Sequence, residues 1–490
     1  IIMNWSEVLP EAVAEAHGGQ PVSLVTADSR AVTPGALFFA LGGSRADGHD
    51  HIGEAVAAGA VGVIAERPVA VPPETALAVH PEARRLLGEA AARLQGHPSR
   101  QMPVAVITGT NGKTTVAWLI AGLFQRGGLV GTLGWGRPGA LHSATETTPD
   151  PVTLEQRLRL MADDGTTGVA MEASSHGLDQ HRLAGTDLAG AVWTNLSPEH
   201  LDYHRDLEAY RAAKQRALAR PELGFAVVNA EDPEVTHFAG AVAPGVALWR
   251  FGVGQGDVRA DSLCTRADGI ELVAATPHGA VTVHSALVGA VNVPNLLAAV
   301  AAGLALGMAP ATVAERLSGV PPVPGRMEDL GATPAGARVW VDYAHTADAL
   351  ERTLAGAREL TANRLWCVFG CGGERDAGKR PAMGEVAGRL CDRVVLTADN
   401  PRGEDPAAII EAIAAGIGAA EVRAEPDRGE AIGTALDSAT AGDGVVIAGK
   451  GHEAYQEIAG RRVPFSDREV VRQWLATAPQ REAVGHDDPG

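Results

Sequence analysis

Lysine is almost absent from this chain. Of its 41 basic residues only four are lysine, at Lys113, Lys214, Lys379 and Lys450; the rest are arginine. Where positive charge alone suffices, the chain uses guanidinium. A surviving lysine is then a candidate for work that guanidinium cannot do: a compact point charge on phosphate, or an amine that loses its proton and reacts. A basic tract is also missing, and the formal net charge is −18. That argues against a nucleic-acid partner, whose binding needs a positive footprint. Phosphate affinity must come from local backbone amides and a few cations. The four cysteines (Cys264, Cys367, Cys371, Cys391) form no Cys-x-x-Cys pair and read as reduced cytosolic thiols. Cys367 and Cys371 lie in an apolar, Gly-ended run that reads as a core strand. The opening Ile-Ile-Met-Asn-Trp lacks a basic n-region followed by an apolar stretch, so no signal peptide is expected. No apolar run reaches about 18 residues, which argues against a membrane-spanning helix. There is no internal repeat.

At 490 residues the chain is too long for one core. A hydrophobic share of 46%, rich in Ala, Gly and Val, suits α/β architecture. Three blocks are expected. Residues 1–101 carry strand-like pieces at Val22–Thr26, Ala36–Ala40 and Val61–Ala65, and Gly96 to Gln101 reads as a linker. Residues 102–325 open with a strand at Val104–Thr108 and end at the Pro cluster Pro321–Gly325, which no helix can continue. Residues 326–478 alternate strands (Arg338–Val341, Leu365–Phe369, Arg393–Thr397, Gly444–Ile447) with helices such as Pro381–Leu390 and Pro406–Ile417. Such alternation implies a mostly parallel sheet. Residues 479–490 read as a frayed, flexible tail. In the last two blocks the polar motifs follow strand C-terminal ends, where open α/β sheets gather ligands.

The strongest motif is Gly109-Thr110-Asn111-Gly112-Lys113-Thr114-Thr115. A strand leads into a loop with two glycines, and Lys-Thr-Thr opens a helix. The glycines let backbone N–H groups turn around an anion, and the helix N-terminus adds positive potential. Lys113 reaches the β/γ-phosphates in such loops, and the Thr114 hydroxyl holds Mg²⁺. The spacing is two residues shorter than the general rule. A second apolar run, Val169 to Met171, ends in Glu172, as a magnesium ligand at a strand end would. A third precedes Thr194-Asn195-Leu196-Ser197-Pro198-Glu199-His200, fourteen residues before Lys214. Glu172 and His200 suit an oxygen-rich cage for Mg²⁺ with one histidine.

With these motifs in order, the chain resembles the Mur ligase family, ATP-dependent amino-acid ligases of peptidoglycan precursor synthesis, over about 460 residues and all three blocks. The resemblance implies an α/β, three-domain fold. A substrate-binding domain precedes a central P-loop-type domain with a parallel sheet and a Rossmann-like C-terminal domain. It is strongest to members adding a diamino acid to UDP-N-acetylmuramoyl-L-alanyl-D-glutamate. Thr26-Ala27-Asp28-Ser29-Arg30 and Asp47-Gly48-His49-Asp50 resemble uridine-nucleotide elements. Thr147, Thr148, Ser174, Gln180 and Arg182 match positions that hold the muramoyl-dipeptide. Asn292 and Asn295 resemble the adenine-side motif; Arg326, Asp342 and His345 resemble nucleotide elements of the third domain. Asp399-Asn400-Pro401-Arg402 is similar to the signature of ligases adding meso-diaminopimelate, and Arg375, Gly449 and Glu453 fall where the family contacts the incoming amino acid. Ala347, Leu218 and Glu146 depart from the frequent Pro, Phe and Asn.

The resemblance also implies a carbamylated lysine at Lys214. A neutral amine attacks CO₂ and becomes a carbamate with two oxygens, which arginine cannot do. Two Mg²⁺ ions would be held, one by Thr114 and Glu172, the other by Glu172, His200 and carbamylated Lys214, with Lys113 offsetting phosphate charge. A D-glutamyl carboxylate then attacks ATP to give an acyl phosphate, which the diamino acid's amine displaces. Domain closure would exclude water from that intermediate. Arg402 is expected to grip the far carboxylate of meso-diaminopimelate. An internal salt bridge at Arg402 would instead leave ornithine or lysine open. A monomeric cytoplasmic enzyme is expected. Two rivals are a folylpolyglutamate synthetase-like ligase and a nucleotide-switch NTPase.

Overall fold

The computed structural model describes residues 2–14, 17–43, 46–72, 75–197, 204 and 206–484. The chain divides into two compact units, one of residues 1–259 and 297–316, the other of 260–296 and 317–490.

In the first unit, Leu24–Thr26, Ala36–Ala40, Gly62–Ala65 and Leu77–Val79 pair in chain order as a four-stranded parallel sheet. The expected strand Val22–Thr26 is broken at Ser23. Its N–H bonds Gly35 O at 3.0 Å, while Pro21–Val22 turns aside to pair antiparallel with Met3–Asn4. A larger parallel sheet runs Gly127–Gly131, Gly168–Glu172, Val104–Thr108, Gly190–Trp193, Phe225–Asn229, Ala247–Gly252. An antiparallel hairpin, Gly134–Arg137 with Ala140–His142, extends it beyond Gly127–Gly131. Val-Ala-Val-Ile-Thr at 104–108 is buried on both faces, as the β-branched middle strand of a helix-covered parallel sheet must be. The buried helix Lys113–Leu123 follows it. Register sets the site: Glu172 lies opposite Ile107, and Trp193 opposite Thr108. The residues that follow these three strands therefore emerge at one edge.

In the second unit, six strands run in the order Glu328–Ala332, Arg338–Asp342, Gly444–Ala448, Leu365–Phe369, Arg393–Leu396, Glu421–Ala424. The first pairing is antiparallel and the others are parallel. An antiparallel pair, Gly269–Ala275 with Val281–Ser285, also belongs to this unit. Four sequence expectations shift. Cys371 lies beyond the strand end, although buried. The helix expected at Pro381 starts at Lys379, placing proline in its first turn where no helical N–H is lost; the helix from Pro406 stops at Ala414, short of Gly416. The closing helix Asp467–Val484 runs past Ala478 into the stretch expected to be a tail. Among the described residues no helix is long and apolar enough to cross a membrane.

Candidate active site

The loop after Val104–Thr108 is shaped by what it passes. Gly109 has φ +141°, and a Cβ there would lie 2.0 Å from Thr194 Oγ1, so no larger residue fits. Asn195 fastens the next turn: its Oδ1 accepts from Asn111 N at 2.8 Å, its Nδ2 donates to Asn111 O at 3.0 Å, and its carbonyl accepts from Thr110 N at 3.0 Å. Gly112 enters the helix with φ +83°, and no side chain caps the helix start. A glycine-turned loop that runs into a helix N-terminus is the geometry that receives an anion. Lys113 Nζ folds back onto Gly109 O (2.9 Å) and Thr110 O (2.8 Å), and Thr115 is buried in the same first turn.

Beside the loop stands Glu172, fully buried. Its Oε2 accepts from Thr114 Oγ1 at 3.0 Å and Thr132 Oγ1 at 3.1 Å, and its Oε1 from Thr132 N at 2.9 Å. Lys214, 1% exposed, donates to Gly109 O at 2.7 Å, and its ammonium lies 4.7 Å from the Tyr210 ring centre. The Tyr210 hydroxyl and Thr110 Oγ1 are 3.1 Å apart. The structure therefore brings Lys113, Thr114, Glu172 and Lys214 around one loop. His200 lies outside the described residues.

The same edge carries the expected dipeptide residues. Thr148 Oγ1 donates to Glu172 O at 2.9 Å and accepts from Ser174 N at 2.9 Å; Thr147 Oγ1 is 3.1 Å from Thr132 Oγ1. Ser174 Oγ caps the next helix by accepting from Gly177 N at 3.1 Å. The Arg182 guanidinium donates to Thr148 O at 2.5 Å, Gln180 Oε1 at 3.0 Å and Glu146 Oε2 at 2.6 Å. The departure at Glu146 thus gives Arg182 a counter-ion. Towards the N-terminal sheet, Ser29 Oγ donates to Glu54 at 3.2 Å. Hydrogen bonds from Arg67 first, then from His49, hold the Asp47 carboxyl well below the usual range.

In the second unit Asp342 is saturated: Oδ2 accepts from Met327 N (2.7 Å), and Oδ1 from Ala344 N (2.8 Å) and Thr353 Oγ1 (3.0 Å). It thereby pins the turn that carries Arg326, whose guanidinium lies 4.5 Å from the Tyr343 ring centre. Burial first, then the Glu453 charge, pushes the Tyr343 hydroxyl up to about 12. His345 Nδ1 is 2.9 Å from Tyr343 O. Asn295 Nδ2 donates to Asn292 Oδ1 at 3.0 Å, and the turn Ala290–Asn292 packs on helix Ala347–Glu359. That helix starts at Ala347 with Thr346 Oγ1 as its cap, so losing the frequent proline there leaves the start intact.

Asn400, Arg375 and Arg402 surround Gly372: a Cβ there would lie within 4 Å of all three residues. Arg402, at φ +53°, donates from Nη1 to Gly373 O at 2.6 Å and from Nε to Glu457 Oε2 at 3.2 Å. The salt bridge left open by the sequence is thus formed, with Nε and Nη1 both engaged, so Arg402 by itself leaves ornithine and lysine open beside meso-diaminopimelate. Asn400 Nδ2 donates to Glu453 Oε2 at 3.1 Å. Asp399, two residues before Pro401, sits against Gly449, where a Cβ would meet its Oδ2 at 2.6 Å.

Three family models match consecutive parts of the chain: the Mur ligase family catalytic domain at residues 21–103, the Mur ligase middle domain at 107–303, and the Mur ligase glutamate ligase domain at 325–451. The UDP-N-acetylmuramoyl-L-alanyl-D-glutamate–2,6-diaminopimelate ligase of Pseudomonas aeruginosa is 46% identical, covering 97% of this chain and 98% of that one. The enzyme of the same name from Chromobacterium violaceum is 44% identical over 94% and 96%. The chain belongs to the Mur ligase family. A solved structure of a ligase with that name superposes with a TM-score of 0.74 at 35% identity, covering 98% of this chain and all of the other. A Mycobacterium tuberculosis folylpolyglutamate synthase shares the fold at TM-score 0.62 but only 19% identity.

The residues of this Mur ligase fit a magnesium ion. The donors around Glu172 are hard oxygens, a buried carboxylate and two hydroxyls, beside the glycine-turned loop. Among the described residues no cluster of three or more His, Cys, Asp or Glu is present. Sequence reasoning missed Thr132 and the role of Asn195. Thr132 carried no motif; Asn195 stood in a quoted motif, directly after a strand end, which was the available signal.

Proposed function

We propose that this Mur ligase joins meso-diaminopimelate to UDP-N-acetylmuramoyl-L-alanyl-D-glutamate, with ATP cleaved to ADP and phosphate through an acyl phosphate. Identity of 44–46% over nearly the whole length with ligases so named supports this over the folylpolyglutamate synthetase and NTPase readings. The observation that carries it is the fully buried Glu172 bonded to Thr114 beside a glycine-turned loop that leads into a helix.

On this reading, residues 1–101, 102–325 and 326–478 serve the UDP-sugar substrate, ATP and the amino acid in turn. Loop amides 109–115 and Lys113 bind and orient the triphosphate. Asn292 and Asn295 serve the adenine side; Arg326, Asp342 and His345 present nucleotide contacts. Thr114, Glu172, His200 and Lys214, the last as a carbamate, would hold two magnesium ions. Bound magnesium supplies Lewis-acid charge that lets an anionic carboxylate approach an anionic phosphate. Burial of the Lys214 amine suits carbamylation, in which the neutral amine bonds the CO₂ carbon and releases a proton. Ser29, Thr147, Thr148, Ser174, Gln180 and Arg182 position the UDP-muramoyl-dipeptide. Arg375, Asp399, Asn400, Pro401, Arg402, Gly449 and Glu453 receive the diamino acid, with Arg402 on its distal carboxylate. On this reading the enzyme works in the cytoplasm, where ATP and UDP-linked sugars are found, and acts as a monomer.

The test is phosphate release with UDP-muramoyl-dipeptide and ATP, comparing meso-diaminopimelate, ornithine and lysine. Meso-diaminopimelate should be preferred, and Arg402→Ala should cost about 10²-fold or more in kcat/KM for it, with little change for lysine. Equal losses for both would refute the assignment of Arg402.

A further inference from the structure

Lys450 is the one surviving lysine with a fully buried side chain that the reaction above does not use. It lies between two glycines with positive φ, Gly449 at +113° and Gly451 at +54°. Those left-handed turns send the intervening side chain inward. There the ammonium donates to Glu453 Oε2 at 2.8 Å and Asn400 Oδ1 at 3.1 Å, lies 3.8 Å from Asp399 Oδ1, and sits 5.5 Å from the Tyr455 ring centre.

We propose that Lys450 is a positioning residue for the amino-acid subsite, one that fixes Asn400 and Glu453 and thereby sets affinity for the incoming diamino acid. This rests on the reading that residues 399–402 and 449–453 receive that substrate. Asn400 has two faces, and Lys450 decides which points where. Its Oδ1 accepts from Lys450 and from Glu457 N at 2.9 Å, which forces Nδ2 toward Glu453 Oε2. Glu453 Oε2 is thus held twice, by Lys450 and by Asn400, while its Oε1 makes no hydrogen bond among the described residues. A carboxylate with one oxygen anchored and one unengaged is built to receive an ammonium. The three donors of an ammonium match these convergent oxygens, whereas arginine's planar fork does not. This explains a lysine in an arginine-using chain.

The test measures KM for each substrate separately in Lys450→Met and Lys450→Gln, with circular dichroism and melting as folding controls. KM for the diamino acid should rise about tenfold or more, the weight of a charge-assisted hydrogen bond, while KM for ATP and for the UDP-substrate stays within about twofold. Combining Lys450→Met with Glu453→Gln should be no worse than the poorer single variant, because both act through one carboxylate. A fall in kcat with all KM values unchanged, additive losses in the double variant, or failure of both Lys450 variants to fold would each overturn the inference. If no diamino acid stimulates phosphate release by the parent enzyme, the underlying assignment of the subsite fails instead.

Discussion

Replacing Glu172 by glutamine separates fold from chemistry at the reacting centre. The geometry predicts which way the new amide turns. Oε1 accepts from Thr132 N, a backbone donor that cannot reverse. Oε2 accepts from the hydroxyls of Thr114 and Thr132, which can rotate and become acceptors. The glutamine oxygen therefore takes the Oε1 position and its NH₂ the other. All buried partners stay satisfied, and the stability change should be within about 1 kcal/mol. The negative charge, however, is gone from a fully buried position beside Thr114. Losing a preorganised electrostatic contact of this kind costs about 10³-fold in kcat, or about 4 kcal/mol. Thermal melting and phosphate release across a magnesium titration read both quantities. Activity should fall steeply, and half-maximal activity should need more magnesium. A Glu172→Gln enzyme within tenfold of the parent, with unchanged magnesium dependence, would refute the ligand role of Glu172.

Lys214→Arg keeps the charge but removes the amine that can add CO₂. It should lose activity by about 10³-fold or more, and a carbamate ¹³C signal obtained with labelled bicarbonate should be present in the parent and absent in the variant; near-parental turnover would rule the carbamate out. A different effect is expected at Glu155, 1% exposed, whose Oε1 accepts from Thr186 Oγ1 at 2.7 Å and whose Oε2 has no partner among the described residues. Burial raises its carboxyl from an ordinary 4.5 to about 7. The folded state therefore binds a proton that the unfolded chain has released, and stability falls as pH rises from 4.5 through 7. Glu155→Gln should remove that slope and stabilise the protein above pH 7 by about 3 kcal/mol. Urea titrations at pH 5 and pH 8 that show equal destabilisation by the substitution would contradict this.

Much of the fold was legible because its signals are local. Leu365–Phe369 and Val104–Thr108 are apolar runs bounded by turn residues, and both form strands with the expected limits. The strand at 22–26 was misjudged because its break at Ser23 comes from pairing with Met3–Asn4, a contact that no pattern within the run encodes. The extent of the closing helix was missed for a similar reason. Its anchor is the buried Asp467, bonded to Arg428 thirty-nine positions earlier at 2.7 Å, which composition near Ala478 does not reveal.

By itself the sequence determined the class of chemistry: a strand, a short glycine loop and a Lys-Thr-Thr helix start are contiguous, and their anion-binding property follows from backbone conformation alone. Family membership was equally readable, since its motifs are strings of residues. Only the tertiary structure decided which side chains meet. Glu172 reaches Thr114 across 58 positions and Thr132 across 40, and Lys214 reaches Gly109 across 105. Those meetings depend on the register of parallel strands brought together by crossovers, where a slip of one residue would turn each side chain to the opposite face of the sheet.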